Sequence, residues 1–225
     1  MINVYIHIGV LGAVNQILSN LLGRINESGL YNSCDKIYLS FNGNANISKD
    51  LPDKYEVIYA NPDLSKWEFP TLDLIWKHAQ DIDSNILYLH TKGVTKPNVQ
   101  QIVDWTNLMS YFNINKWQDR LKELEEYDCT GVNFFGNPED IKLDPSTWGY
   151  GKAPQHYSGN FWWSKSSHIK KLPNPISWMP TEDYSKWRML CEMWLCQLPN
   201  GKYYNAYSSE VDHYQNLYPE YLYKR

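Results

Sequence analysis

The residues best suited to chemistry in this sequence stand at Tyr88–Gly93 (YLHTKG), where an apolar run ends in an imidazole, a hydroxyl, an ammonium and a glycine. Such a set can neutralise a departing diphosphate. Lys92 and His90 meet the negative charge, while Thr91 and backbone N–H groups near Gly93 supply neutral donors. The competing reading is that His90 and Lys92 simply occupy a wet strand end. A second cluster, HYSGNFWW at His156–Trp163, combines His156 with Ser158 and Gly159, which allow close backbone approach, and Asn160, whose amide can meet sugar hydroxyls. His156 reads equally as a polar loop residue. If this segment is one strand, Trp162 and Trp163 point to opposite faces, so at most one lines a site; Trp162 is taken as that residue, facing an acceptor. Arg188 and Glu192 stand four apart on a helical segment and could be a surface ion pair. Yet Glu192 is flanked by Leu190, Cys191, Met193 and Trp194, a costly setting for a carboxylate without a task. A base that takes a proton from an acceptor hydroxyl needs such a group, and Arg188 would then be an acceptor contact. In Asp212-His213-Tyr214, His213 either closes over phosphates or is a surface histidine. A literal DxD, Asp81-Ile82-Asp83, would suggest Mn²⁺ or Mg²⁺ on a diphosphate. It precedes the ILYL run instead of following it, so a turn or helix-end role is expected.

The elements that must position these groups alternate. Residues 2–8 (INVYIHI) read as a strand broken at Gly9 and Gly12, followed by a helix ending at Gly29. Cys34–Phe41 and Tyr55–Ala60 read as strands, the latter closed by Asn61-Pro62. Phe69–Gln80 reads as a helix with Pro70 in its first turn, and Ile86–Leu89 as a buried strand. This alternation predicts a mainly parallel, doubly wound α/β sheet over the first hundred residues. Ligands of such sheets lie beyond the carboxyl ends of the strands, where His7 and Gly9, Asn42–Asn44, Asn61 and His90–Gly93 fall, so a nucleotide could lie across them. Further on, the pattern predicts a helix or helix pair over Val103–Glu126, a strand at CTGVNFF, a loop over Gly136–Gln155, a strand at HYSGNFWW, a helix over Asp183–Leu198 and a Tyr-rich tail from Lys202.

A length of 225 residues suits a single domain, 1–225. A net charge of −4 without basic runs argues against nucleic acid or an anionic membrane as a partner. The first ten residues lack a basic leader, and no stretch of roughly 18 apolar residues occurs, so a cytoplasmic protein without a transmembrane segment is expected. Four cysteines show no CxxC or metal spacing and read as reduced core residues. Aromatics make up 15% of the chain, with ten Trp and eighteen Tyr. Their rings serve core packing, and they also suit the C–H face of a pyranose.

Taken together, YLHTKGV, EFPTLDLIW, VDWTNLMSYF, HYSGNFWWSKSSHIKKLP, CEMW and the DHY tail resemble a family of small glycosyltransferases found in large DNA viruses and bacterial surface-polysaccharide clusters. That family is similar to the chlorella-virus enzymes that use UDP-sugars. The resemblance spans nearly the whole chain. It implies a GT-A-like (Rossmann-like) α/β domain with a central, mainly parallel mixed sheet flanked by helices. About 1–100 would bind a nucleotide-sugar donor, and about 101–225 the donor sugar and a glycan acceptor. It also implies that His90 and Lys92 replace the usual DxD, that Ser158–Asn160 touch the donor sugar, and that Glu192 is the acceptor-side carboxylate. Without DxD, a cationic metal-free phosphate site competes with Mn²⁺ or Mg²⁺ held by His90, His156 and His213. A non-catalytic, lectin-like carbohydrate-binding protein is the other reading of the aromatic excess, although lectin modules are mostly all-β. A nucleotide-sugar-modifying enzyme such as an epimerase would need a GxGxxG after the first strand, which is missing.

Overall fold

A computed structural model describes residues 1–46, 50–137, 153–178 and 188–224. Its centre is β1 (Ile2–Gly9), whose β-branched run is buried on both faces, as a central parallel strand must be. Alternation sends Val4, Ile6 and Ile8 into one core cluster and Tyr5 into another. The first cluster lies under α1 (Val14–Glu27) and α4 (Gln100–Ser110). The second lies under α3 (Phe69–Asp81) and α7 (Arg188–Met193). A short α2 (Leu30–Ser33) leads into β2 (Lys36–Asn42), followed by β3 (Tyr55–Asn61) and β4 (Asn85–His90). Among the described residues, seven strands form one sheet in the order β3-β2-β1-β4-β8-β5-β9. Only β8 (Trp162–Lys165) runs antiparallel, between β4 and β5 (Cys129–Val132), and the outer β9 (Tyr203–Tyr207) is parallel to β5. This is a Rossmann-like α/β architecture with a mixed, mostly parallel sheet.

Register sets the site. His7 lies beside His90, Gly9 beside Asn42, and Asn42 beside Asn61, so four strand ends finish along one edge. The opposite edge takes Asp83, which pairs with Lys170 at 3.0 Å before β4 begins.

The later half departs from expectation. HYSGNFWW is two strands, β7 (His156–Tyr157) and β8, because Gly159 (φ 90°) and Asn160 (φ 60°) turn the chain between them. CTGVNFF divides in the same way at Asn133 (φ 52°) into β5 and β6 (Phe134–Phe135), which pairs with β7. Val103–Glu126 is α4, a π-helical turn at Tyr111–Asn115 and α5 (Trp117–Glu126). Beyond β8 comes a short α6 (Ser166–Ile169). The helix expected over Asp183–Leu198 is α7 plus a 3₁₀ turn, and its first five positions, like 138–152 of the expected loop, lie outside the described residues. The tail adds β9, which tyrosine content alone did not suggest. All four cysteines are free and buried. Among the described residues no helix is long and apolar enough to cross a membrane.

Candidate functional site

At the ends of β1 and β4 the polar groups are bound to one another. The Thr91 N–H donates to the His7 carbonyl, and Thr91 Oγ1 accepts the Gly9 N–H, both at 3.0 Å. The Thr71 hydroxyl donates to Ser40 Oγ at 2.7 Å, so His7 Nδ1, 2.8 Å from Thr71 Oγ1, is the donor there. Burial lowers the His7 pKa to about 4 and keeps the ring neutral. Asn42 donates to the Trp67 carbonyl at 2.6 Å, while its Oδ1 is buried without a partner among the described residues. Asn61 Oδ1 caps the turn at Asp63. Gly93 (φ 80°) answers a steric need, since a Cβ would come within 2.8 Å of Ile102 Cγ2; a Cβ at Gly9 would make only an ordinary 3.8 Å contact with Thr91.

Glu68, just before α3, is a hub that the sequence did not single out. It is 8% exposed, and its Oε2 accepts from the Tyr88 hydroxyl at 2.5 Å and from Asn160 Nδ2 at 2.6 Å. Its Oε1 lies 3.9 Å from His90 Nδ1. The His90 Nε2–H donates to the Gly159 carbonyl at 2.9 Å, and burial, aided by Lys92, lowers the His90 pKa to about 3. The contact with Glu68 is therefore that of a neutral imidazole, not an ion pair. From Gly159 the network reaches α7, where the Gly159 N–H donates to Glu192 Oε2 at 3.3 Å. Only glycine fits at this crossing, since a Cβ would lie 2.4 Å from Met109 Sδ.

Beside this network is a corner of a different kind. Lys92 is 7% exposed, and its Nζ sits 3.8 Å from the ring centre of Trp105, within cation–π range. Among the described residues it makes no ion pair. Burial lowers its pKa, opposed by the Glu192 and Glu68 carboxylates. His213 stacks on the same indole, with ring centres 5.3 Å apart and planes 7° apart. Its Nε2 lies 2.7 Å from Ser209 Oγ and 3.2 Å from Asn133 Nδ2. An amide nitrogen only donates, so Nε2 accepts and the ring proton resides on Nδ1. That Nδ1–H is buried and has no partner among the described residues.

The other expected residues separate. Asn160 is 0% exposed, its amide shared between Glu68 and the Trp162 indole N–H, so it holds the turn in place and does not reach a sugar. Trp162 requires correction as an acceptor contact: it is 1% exposed and stacked on Tyr88, while Trp163 is sealed in the opposite core cluster. Ser158 donates its backbone N–H to Asn133. His156 donates through Nδ1 to the Pro154 carbonyl in the small β6–β7 ribbon. Arg188 is exposed, lies over Trp67 at 5.5 Å and forms no ion pair with Glu192. Among the described residues no three His, Cys, Asp or Glu side chains converge on a point that could hold a metal. His90, His156 and His213 each have a nitrogen occupied in a separate place, so they do not make the metal set considered from the sequence. A groove of about 950 Å³ runs between α1 and α4 and reaches this region at Lys92 and Gly93.

Fold and site together define an α/β protein in which one cation, Lys92, and one neutral imidazole, His213, pack on Trp105 beside the carboxyl edge of the sheet. Compared with models of known families and with curated protein sequences, the chain matches none.

Proposed function

We propose that this chain is a GT-A-like glycosyltransferase that passes a sugar from a nucleotide-sugar donor, in the first instance a UDP-sugar, to a glycan acceptor. The observation that carries this reading is the corner at Trp105, where the Lys92 ammonium lies against the indole without an ion pair and the His213 Nδ1–H is buried without an acceptor, both among the described residues. Burying a donor unpaired costs roughly 1–3 kcal/mol, and a diphosphate at the end of β4 offers oxygens to both. In transfer, an acceptor oxygen attacks the anomeric carbon and the bond from that carbon to the diphosphate oxygen breaks. The leaving diphosphate keeps the electron pair, and Lys92 stabilises its charge. Glu192, partly exposed and charge-coupled to Lys92, is assigned the acceptor proton. No step needs a metal bound by these residues.

Calorimetric titration with nucleoside diphosphates, with and without Mn²⁺, followed by a sugar-release assay on the matching nucleotide sugars, tests the proposal. Binding of one diphosphate that is lost in Lys92→Ala supports it. Binding of free glycans with no nucleotide binding would assign the chain to the lectin-like class.

A further inference from the structure

Away from the strand edge, a cleft of about 450 Å³ opens beside β9, between the π-helical turn, α5 and the end of the tail. This volume lies in the range of small-molecule sites. Its walls are the rings of Tyr111, Phe112, Tyr207 and Tyr223. They support one another, Phe112 stacking on Tyr207 at 4.6 Å and Tyr111 meeting Phe112 edge-on at 5.1 Å, so they form a preset apolar surface.

The polar part of the lining is Lys116, Asp119 and Arg120. Arg120 is 4% exposed; its Nη2 donates to Glu123 Oε1 at 2.6 Å, whereas Nε and Nη1 have no partner among the described residues. Around the cleft Arg120 pairs with Glu123, Asp119 with Lys122 at 3.5 Å, and Lys224, whose ammonium also lies over Tyr111, with Glu220. Lys116 alone of the charged lining has no ion pair among the described residues, and its ammonium lies over the Tyr111 ring. With the carboxylates and the other cations already met by one another, a neutral polyol could accept from the guanidinium, donate to Asp119 and lay its C–H face on the rings without breaking an ion pair.

We infer that this cleft is a binding site for an uncharged pyranose ring, separate from the strand edge. The inference does not depend on the transfer reaction and stands whether or not the chain binds a nucleotide.

Saturation-transfer NMR on the whole chain, using glucose and maltose as neutral probes and glucuronate as the charged one, tests it. Transfer from the neutral sugars is expected, with affinity weakened at least about tenfold by Tyr111→Ala and by Asp119→Ala, the loss of a ring face and of a hydrogen bond. Thermal unfolding of both variants checks that the fold persists, and nucleoside diphosphate binding should match that of the parent. Absence of transfer from both neutral sugars, unchanged affinity in the folded variants, or a preference for glucuronate would overturn the inference. Sugar binding here without diphosphate binding at Lys92 would leave the cleft standing and remove the proposed transferase.

Discussion

Two clusters of buried polar groups adjoin at the carboxyl edge of the sheet, and they are wired differently. Around Glu68, the Tyr88 hydroxyl, the Asn160 amide, His90 and Gly159 use their hydrogen bonds on one another. Around Trp105, Lys92 and His213 pack on the same indole, but among the described residues Lys92 makes no ion pair and His213 Nδ1 has no hydrogen-bond partner. Burial with a partner builds a scaffold, whereas burial without one prepares a place for a ligand. The difference assigns roles that residue type alone does not: His90 and Lys92 are two positions apart, and the first supports while the second binds.

Four substitutions put that contrast to the test. Glu192→Gln should lower sugar transfer by about 10²–10⁴-fold, the range for a lost general base, with diphosphate affinity nearly unchanged; steady-state kinetics beside calorimetry reads both. Lys92→Ala should cut turnover by about 10²–10³-fold while shifting unfolding free energy by less than about 1 kcal/mol, since an unpaired buried cation is removed together with one cation–π contact. Glu68→Ala should do the reverse. Leaving the Tyr88 and Asn160 donors stranded costs roughly 2–4 kcal/mol of stability in urea unfolding, and large loss of turnover without loss of stability would erase the distinction between the clusters.

The smallest effect concerns acid. Burial holds His90 near pKa 3 and His7 near 4, while an unfolded imidazole titrates at about 6.5. Below about 6.5 the unfolded chain binds protons that the folded chain refuses, so this stability is complete above that pH and is lost as pH falls toward the folded values. His90→Gln, whose Nε2 can still donate to the Gly159 carbonyl, should therefore show a shallower acid dependence, by about 1.4 kcal/mol per pH unit. Equal slopes for parent and variant would mean that His90 is already charged in the folded state.

The first half of the fold was readable because its signals are local. INVYIHI and ILYL are continuous apolar runs of the kind a two-sided parallel strand demands, and the groups following them had to finish on the open edge. The second half hid its key step in backbone dihedrals. Nothing in the letters of HYSGNFWW announces a left-handed turn at Gly159 and Asn160, and although Trp162 and Trp163 do alternate along β8, both faces of that strand are covered, so neither reaches the surface. Glu68 escaped for another reason. An acid ahead of a helix reads as favourable for the helix dipole, and its real partners, Tyr88 and Asn160, are 20 and 92 residues away. Lys92 was legible as a cation at a strand end; that Trp105 and His213 would flank it and leave it unpaired was not.

The claim that matters most is that the unpartnered donors at Trp105 receive phosphate. A crystal structure of the chain with a bound nucleoside diphosphate tests it directly. Phosphate oxygens within hydrogen-bond distance of both Lys92 Nζ and His213 Nδ1 are the predicted result, and a diphosphate bound elsewhere, with both atoms as solitary as before, would contradict the account.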